Sequence, residues 1–301
     1  MAMEYVEKLL AAGRPDLAAQ MKHAWKNAVL ISAKEFLSGA VKAEDSAIRY
    51  FRCTKKDAAQ GEIPVGASKT GGYPDLPPEI PYPEMSGFTR NYHWGNLKGK
   101  TEVVPESAMQ LLAQINLREL AESGADTENR LPKTGMLYFF YGHYGCDVFG
   151  IDNSAPEPFS TVTVDTPEKA QIAKVIYWDG DLSVLRRTAP QRPYCCGIIP
   201  GLEQERAIGF RAEDNYDEEM LRDLDEICDI LDIEENELVP HGDKLLGVPW
   251  TVNPPYMFGD EINLLQMHAD EGSVVSYFWA IDSLALADQD FSKAKFWEDC
   301  D

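Results

Sequence analysis

The sequence predicts an α+β fold: a sheet-rich body of two related halves with an N-terminal helical cap. Three observations predict it. The run Ser68-Lys69-Thr70-Gly71-Gly72-Tyr73-Pro74-Asp75-Leu76-Pro77 returns in degraded form as Asp243-Lys244-Leu245-Leu246-Gly247-Val248-Pro249. Each copy is followed by an apolar run carrying a glutamine, Leu111–Ile115 with Gln114 and Leu264–Met267 with Gln266. A glycine and an aromatic strand then follow each, Gly135–Phe140 and Gly272–Trp279. Finally, helical and strand patterns do not alternate regularly, which favours α+β over a doubly wound α/β sheet.

Taken in order, residues 3–12 place Tyr5, Val6, Leu9 and Leu10 on one helical face. Gly13-Arg14-Pro15-Asp16 breaks that helix, and Pro15 suits the first turn of the next. The second helix is expected over 15–38, with Leu17, Met21, Trp25, Ala28, Val29 and Phe36 inward. Residues 1–45 are thus expected to form the helical segment. Residues 46–301 are expected to form the main domain, with the internal repeat at about 64–142 and 241–282. Ile48, Tyr50 and Arg52 alternate as in a strand. Residues 64–87 are dense in Pro and Gly, which forbids a long helix. Ile63, Val65, Tyr73, Leu76, Ile80 and Tyr82 give that loop apolar anchors.

Met109–Ile115 reads as a buried strand, and Asn116 as the cap of a helical turn. Leu131–Gly135 is a turn feeding the aromatic strand 136–141. Val162-Thr163-Val164 and Lys174–Trp178 read as further strands, and Asp179-Gly180 as a turn. Residues 213–238 are strongly acidic, yet Met220, Leu221, Leu224, Ile227, Cys228 and Leu231 fall on one helical face. Strand signals resume at 264–268 and 274–281, and Asp290–Trp297 is expected as the last strand.

Composition bounds the function. The chain has 301 residues with 44% hydrophobic content, enough for a sizeable core without a metal or disulfide staple. Its 28 Lys and Arg against 50 Asp and Glu give a net charge of −22. That charge repels phosphate backbones and anionic lipid, so the expected partner is a basic protein, not nucleic acid or a membrane. Six cysteines without Cys-x-x-Cys spacing fit reduced thiols in a cytoplasm. The acidic, amphipathic N-terminus is unlike a secretory signal, and no stretch approaches a membrane span.

Ser68–Pro77, Leu111–Leu117, Leu131–Phe140, Lys174–Trp178, Lys244–Pro249, Leu264–Met267 and Asp290–Cys300 together resemble the DUF1963, or YwqG-like, family. The resemblance implies an intracellular, mostly bacterial protein with a β-rich α+β fold and no established reaction. It therefore transfers no catalytic residue. One turn departs from the family pattern: Asp270-Glu271-Gly272-Ser273 stands where relatives have a Trp-Gly-Asp-like turn.

Candidate chemistry is sparse. Ser68-Lys69-Thr70-Gly71-Gly72 has the ingredients of an anion cradle, but its spacing is not that of a P-loop and prolines follow where a helix is required. A structural turn is the plainer reading, with glycines supplying positive φ. Gln114 and Gln266 sit inside apolar runs and are expected either to satisfy neighbouring backbone or to line a ligand site. His23, His93, His143, His241 and His268 form no zinc motif, and no metal or cofactor is expected. The first function expected is a non-catalytic binding or accessory protein, such as an immunity-like partner of a toxin, working through an acidic surface. The alternative is a small-molecule binding protein or enzyme with a site between the related halves, holding Lys69, Gln114, Lys244 and Gln266. Catalysis is left open.

Overall fold

The computed structural model describes residues 2–33, 63–91, 99, 101–142, 172–195, 198–199, 202–216, 223–233, 242–249, 261–268 and 275–300. The chain divides into two compact units. The terminal unit comprises Met1–Lys56, Asn116–Thr134 and Ala207–Asp301; the inserted unit comprises Asp57–Ile115 and Gly135–Arg206.

In chain order the elements begin with α1 (Ala2–Ala11), α2 (Pro15–Ala24), β1 (Trp25–Ala33), β2 (Lys69–Thr70), β3 (Asp75–Leu76), β4 (Glu84–Met85) and β5 (Phe88–Asn91). There follow β6 (Thr101–Val104), β7 (Ser107–Ala108), β8 (Gln110–Asn116), α3 (Leu117–Ser123), β9 (Met136–Tyr141), β10 (Ala173–Trp178) and β11 (Arg186–Arg187). The last are β12 (Arg206–Tyr216), α4 (Leu224–Leu231), β13 (Lys244–Leu246), β14 (Ile262–His268), β15 (Val275–Ile281), α5 (Ser283–Ala287) and β16 (Lys295–Cys300). The strand pairs are antiparallel and the helices fall among them without regular βαβ alternation, an α+β arrangement.

The terminal unit carries the helical layer. Val6 and Leu9 of α1, Leu17 and Met21 of α2, and Ile227 and Leu231 of α4 recur at helical spacing and meet in one buried cluster with Tyr216. Arg14, between α1 and α2, ties the layer by pairing with Asp16 and Glu226. The sheet of this unit runs β12-β1-β13-β14-β15-β16.

Residues 25–33 correct the sequence reading. They were expected to continue the second helix to residue 38, but α2 ends at Ala24 and β1 follows at once. The physical reason is tertiary. β1 pairs with β12 over nine residues, from Trp25↔Tyr216 to Ala33↔Ile208, and that ladder outweighs the weak helical periodicity. The β-branched Val29 and Ile31 suit a strand. The acidic helix is also shorter than expected: residues 213–216 end β12, and α4 covers Leu224–Leu231. At the C-terminus a single 3-10 turn, Phe291–Lys293, precedes β16, so the last strand starts later than expected.

The inserted unit holds a four-stranded run, β10-β9-β8-β2. Every residue of β8 and β9 is buried. Met136, Tyr138 and Phe140 on one face of β9 pack with Met109 and Leu111. β3 pairs with β11, β4 with β7, and β5 with β6 as separate ribbons. Asn116 caps α3 as its type and place predict, its Oδ1 accepting from the Arg118 and Glu119 backbone N–H groups. The expected strands at Ile48–Arg52 and Val162–Val164, and His143, Met220 and Leu221, lie outside the described residues.

Candidate functional site

The first copy of the lysine motif builds a charged interior in the inserted unit. β2 is only two residues long, but both are buried, and Lys69 lies directly opposite Gln114 of β8. Two glycines then turn the chain. Gly71 and Gly72 have φ of 66° and 63°, in the left-handed region. They also allow a close approach. A Cβ on Gly71 would stand 2.5 Å from the Gln204 carbonyl oxygen, and one on Gly72 would stand 2.2 Å from Cγ of Glu205. The glycine pair thus admits Glu205 to the lysine.

Lys69 has no solvent exposure, and its Nζ donates to Glu205 Oε1 at 2.8 Å and to the Tyr73 carbonyl. Asp75 Oδ1 lies 3.8 Å away. Arg187 completes the group: Nε donates to Asp75 Oδ1 at 3.0 Å, and Nη1 lies 2.9 Å from Glu205 Oε2 as an ion pair without hydrogen-bond alignment. Two cations face two carboxylates, so the cluster is formally neutral. Burial pulls the Lys69 ammonium below its ordinary value, while Asp75 and Glu205 push it back up.

Asp75 is the hub. Its Oδ2 accepts from Gly66 N at 2.9 Å and from Gln114 Nε2 at 2.7 Å. Its backbone N–H donates to Gln114 Oε1 at 2.9 Å, and its carbonyl accepts from Tyr138 Oη at 2.6 Å. Gln114 Nε2 also donates to the Ala67 carbonyl at 2.8 Å. Desolvation drives the Tyr138 phenol well above the ordinary tyrosine value, so it stays a donor. The network holds the Pro- and Gly-rich loop, with Lys69 committed inward to Glu205.

The second motif has the same backbone plan in the terminal unit. Lys244 lies opposite Gln266. Gln266 Nε2 donates to the Gly242 carbonyl at 3.3 Å, two residues before the lysine, as Gln114 does to Ala67. Two left-handed residues again follow, Leu246 at φ 60° and Gly247 at 73°. Lys244 and Gln266 are both buried. The side chains around this frame differ. Asn263 Nδ2 donates to the Leu246 carbonyl at 3.2 Å, and the β14–β15 register is interrupted between Asn263 and Leu265. Asp243 Oδ1 accepts the His268 backbone N–H at 2.9 Å and lies 3.2 Å from Nδ1 of the same residue.

The structure therefore brings the four expected residues together as two pairs, Lys69 with Gln114 and Lys244 with Gln266, each pair within one unit. Sequence reasoning missed Asp75 and Glu205 as partners of Lys69, and Arg187 as the second cation of the cluster. Asp75 lay inside the motif and its spacing was available. Glu205 is 136 residues from Lys69 and left no local signal. Among the described residues no three His, Cys, Asp or Glu side chains are grouped to hold a metal, and no helix is long and apolar enough to cross a membrane.

A family model described as a domain of unknown function, DUF1963, matches residues 68–300. No curated protein matches the chain.

Proposed function

From the premise that the chain belongs to the DUF1963 family, we propose that it is a cytoplasmic binding or accessory protein that recognises a basic protein partner through an acidic surface. The carrying observation is the distribution of its net charge of −22. In the helical layer Glu4, Glu7, Asp16, Asp225, Glu226 and Asp229 are exposed, while Arg14 is engaged by Asp16 and Glu226. In the inserted unit Lys69 and Arg187 are spent inside a neutral cluster and lend little positive field to the surface. An acidic face of this kind speeds encounter with a cationic partner and selects against anionic ones. The same reading takes the two lysine–glutamine ladders as copies of one ancestral unit, supported by their matched registers and paired left-handed residues.

The test is capture from native lysate on the immobilised chain, followed by salt elution. A basic protein retained at low salt should be released by ~1 M salt, where charges are screened beyond about 3 Å. The triple substitution Asp225→Lys, Glu226→Lys, Asp229→Lys should weaken that capture at least tenfold. Retention at ~1 M salt, or equal capture by the charge-reversed chain, would sink the proposal.

A further inference from the structure

The sheet of the inserted unit has an open side at β10. Among the described strands β10 has a neighbour on one side only, β9. The register decides which of its backbone groups are left over. Gly142 N–H donates to the Ile172 carbonyl at 2.6 Å, so Ile172, Lys174, Ile176 and Trp178 turn their backbone groups to β9 and its extension. Ala173 and Val175 alternate with them and turn N–H and C=O away from the sheet. Neither has a hydrogen-bond partner there among the described residues. Such an edge is a template for another strand.

The side chains on one face of β10 complement each other end to end. Lys174 is exposed and has no ion-pair partner among the described residues. Trp178 stands on the same face four residues on. Its indole Nε1 donates to Oε1 of the exposed Glu79 at 2.8 Å. Gly180 lies close against the ring, since a Cβ there would stand 2.3 Å from Trp178 Cζ2. The indole and its carboxylate are therefore held in place before anything binds. Ile176 lies midway between the cation and this acceptor, on the same face and half-buried.

We propose that β10 pairs antiparallel with β10 of a second copy of this chain, about a two-fold axis through Ile176. The axis sets odd positions against odd, so the outward groups of Val175 meet outward groups of the other strand. It also sets Lys174 directly opposite Trp178 of the other copy, with Cβ atoms about 4.5–5.5 Å apart. The ammonium then lies over the indole and reaches Glu79, a cation–π contact and an ion pair that symmetry makes twice. Charge selects this register. An axis through Val175 would set Lys174 against Ile176, and one through Lys174 would set the two lysines against each other. One strand of six residues makes a small interface, so the dimer forms at about 1–100 μM. The pairing lies within the inserted unit and goes beyond partner recognition without depending on it.

The experiment is sedimentation velocity of the full chain over a concentration series at ~0.15 M salt, where the net charges are screened beyond about 8 Å. The expected result is conversion from one chain mass to two. Lys174→Glu should raise the dissociation constant at least tenfold, because two like-charge contacts replace two attractive ones. Lys174→Glu combined with Glu79→Lys should restore the dimer, as should an equimolar mixture of the two single variants. Val175→Pro should abolish it while keeping the ladder to β9, because the Val175 N–H points outward. If Val175→Pro does not fold, the charge exchange decides the matter. A chain that stays monomeric at ~100 μM overturns the proposal, and so does a dimer indifferent to Lys174→Glu. Tighter association in Lys174→Ala also overturns it, since the lysine would then be a guard against pairing. A monomeric chain whose Val175→Pro variant loses the captured basic protein gives the edge to that partner instead. Sedimentation needs no partner, so its outcome is independent of the capture experiment.

Discussion

The ladder of Lys69 and Gln114 and the ladder of Lys244 and Gln266 have one backbone plan and two interiors. In each, a buried lysine faces a glutamine, the glutamine amide donates to the carbonyl two residues before the lysine, and two left-handed residues follow. In the first, Gly71 and Gly72 let Glu205 approach, and Asp75 and Arg187 close a neutral cluster. In the second, Leu246 takes the place of Gly71 and is itself buried. Backbone geometry is thus the shared property, and what fills the space beside it is free to differ. The first interior is closed by charge, and beside the second lysine an apolar side chain is held buried in an unfavourable conformation.

The largest expected effect tests the charged interior. Asp75→Ala removes the acceptor of Gly66, Gln114 and Arg187 together and leaves buried cations short of a counter-charge. Such a break costs about 3–5 kcal/mol. Urea unfolding should show that loss, and a change below ~1 kcal/mol would mean that the cluster is dispensable.

A middle-sized effect separates the two left-handed pairs. Gly71→Ala should cost about 1–3 kcal/mol, through its positive φ and the clash with the Gln204 carbonyl. At position 246 the usual ranking should invert. Leu246→Ala loses about 2–5 kcal/mol of packing, but Leu246→Gly should come out about 1 kcal/mol more stable than Leu246→Ala, because only glycine is at ease at φ 60°. If the alanine variant proves the more stable, Leu246 is not strained and the comparison fails there.

The smallest effect is in alkaline pH. Burial lowers the Lys69 pKa in the folded chain below the ordinary lysine value of 10.5. Within the window between the lowered value and 10.5 the unfolded chain binds more protons than the folded one. Stability therefore rises with pH across that window relative to a chain without the lysine. Subtracting the pH profile of Lys69→Met from that of wild type should isolate this slope, and a flat difference would count against a burial-depressed ammonium.

Much of the sheet was legible. β8 and β9 are apolar runs of strand length bounded by turn signals, and Asn116 marked its own helix cap. β1 was not legible, because Leu17, Met21 and Trp25 carry a helical period straight through the α2–β1 boundary, and only the nine-residue ladder to β12 decides otherwise. The same holds for the site. Lys69, Gln114, Lys244 and Gln266 announced themselves through repetition, but that each lysine lies opposite the glutamine of its own copy is a matter of strand register that the repetition did not give. Glu205, Arg187 and the Asp243–His268 contact depend on which distant strands meet, and no local pattern encodes that.

The distance along the chain between Lys69 and Glu205 has a consequence for biosynthesis. A nascent polypeptide that has emerged through its lysine motif already carries Asp75 but must wait 136 residues for Glu205, the carboxylate that hydrogen-bonds the ammonium. At about 5–20 residues per second that is roughly 7–27 s on the ribosome. Throughout that interval the glycine turn lacks Glu205 to close upon, and with Asp75 alone the ammonium is better left in water than buried. The inserted unit can therefore complete its interior only after translation passes Glu205, so a truncation just short of that residue should accumulate as a chaperone-bound, protease-sensitive fragment.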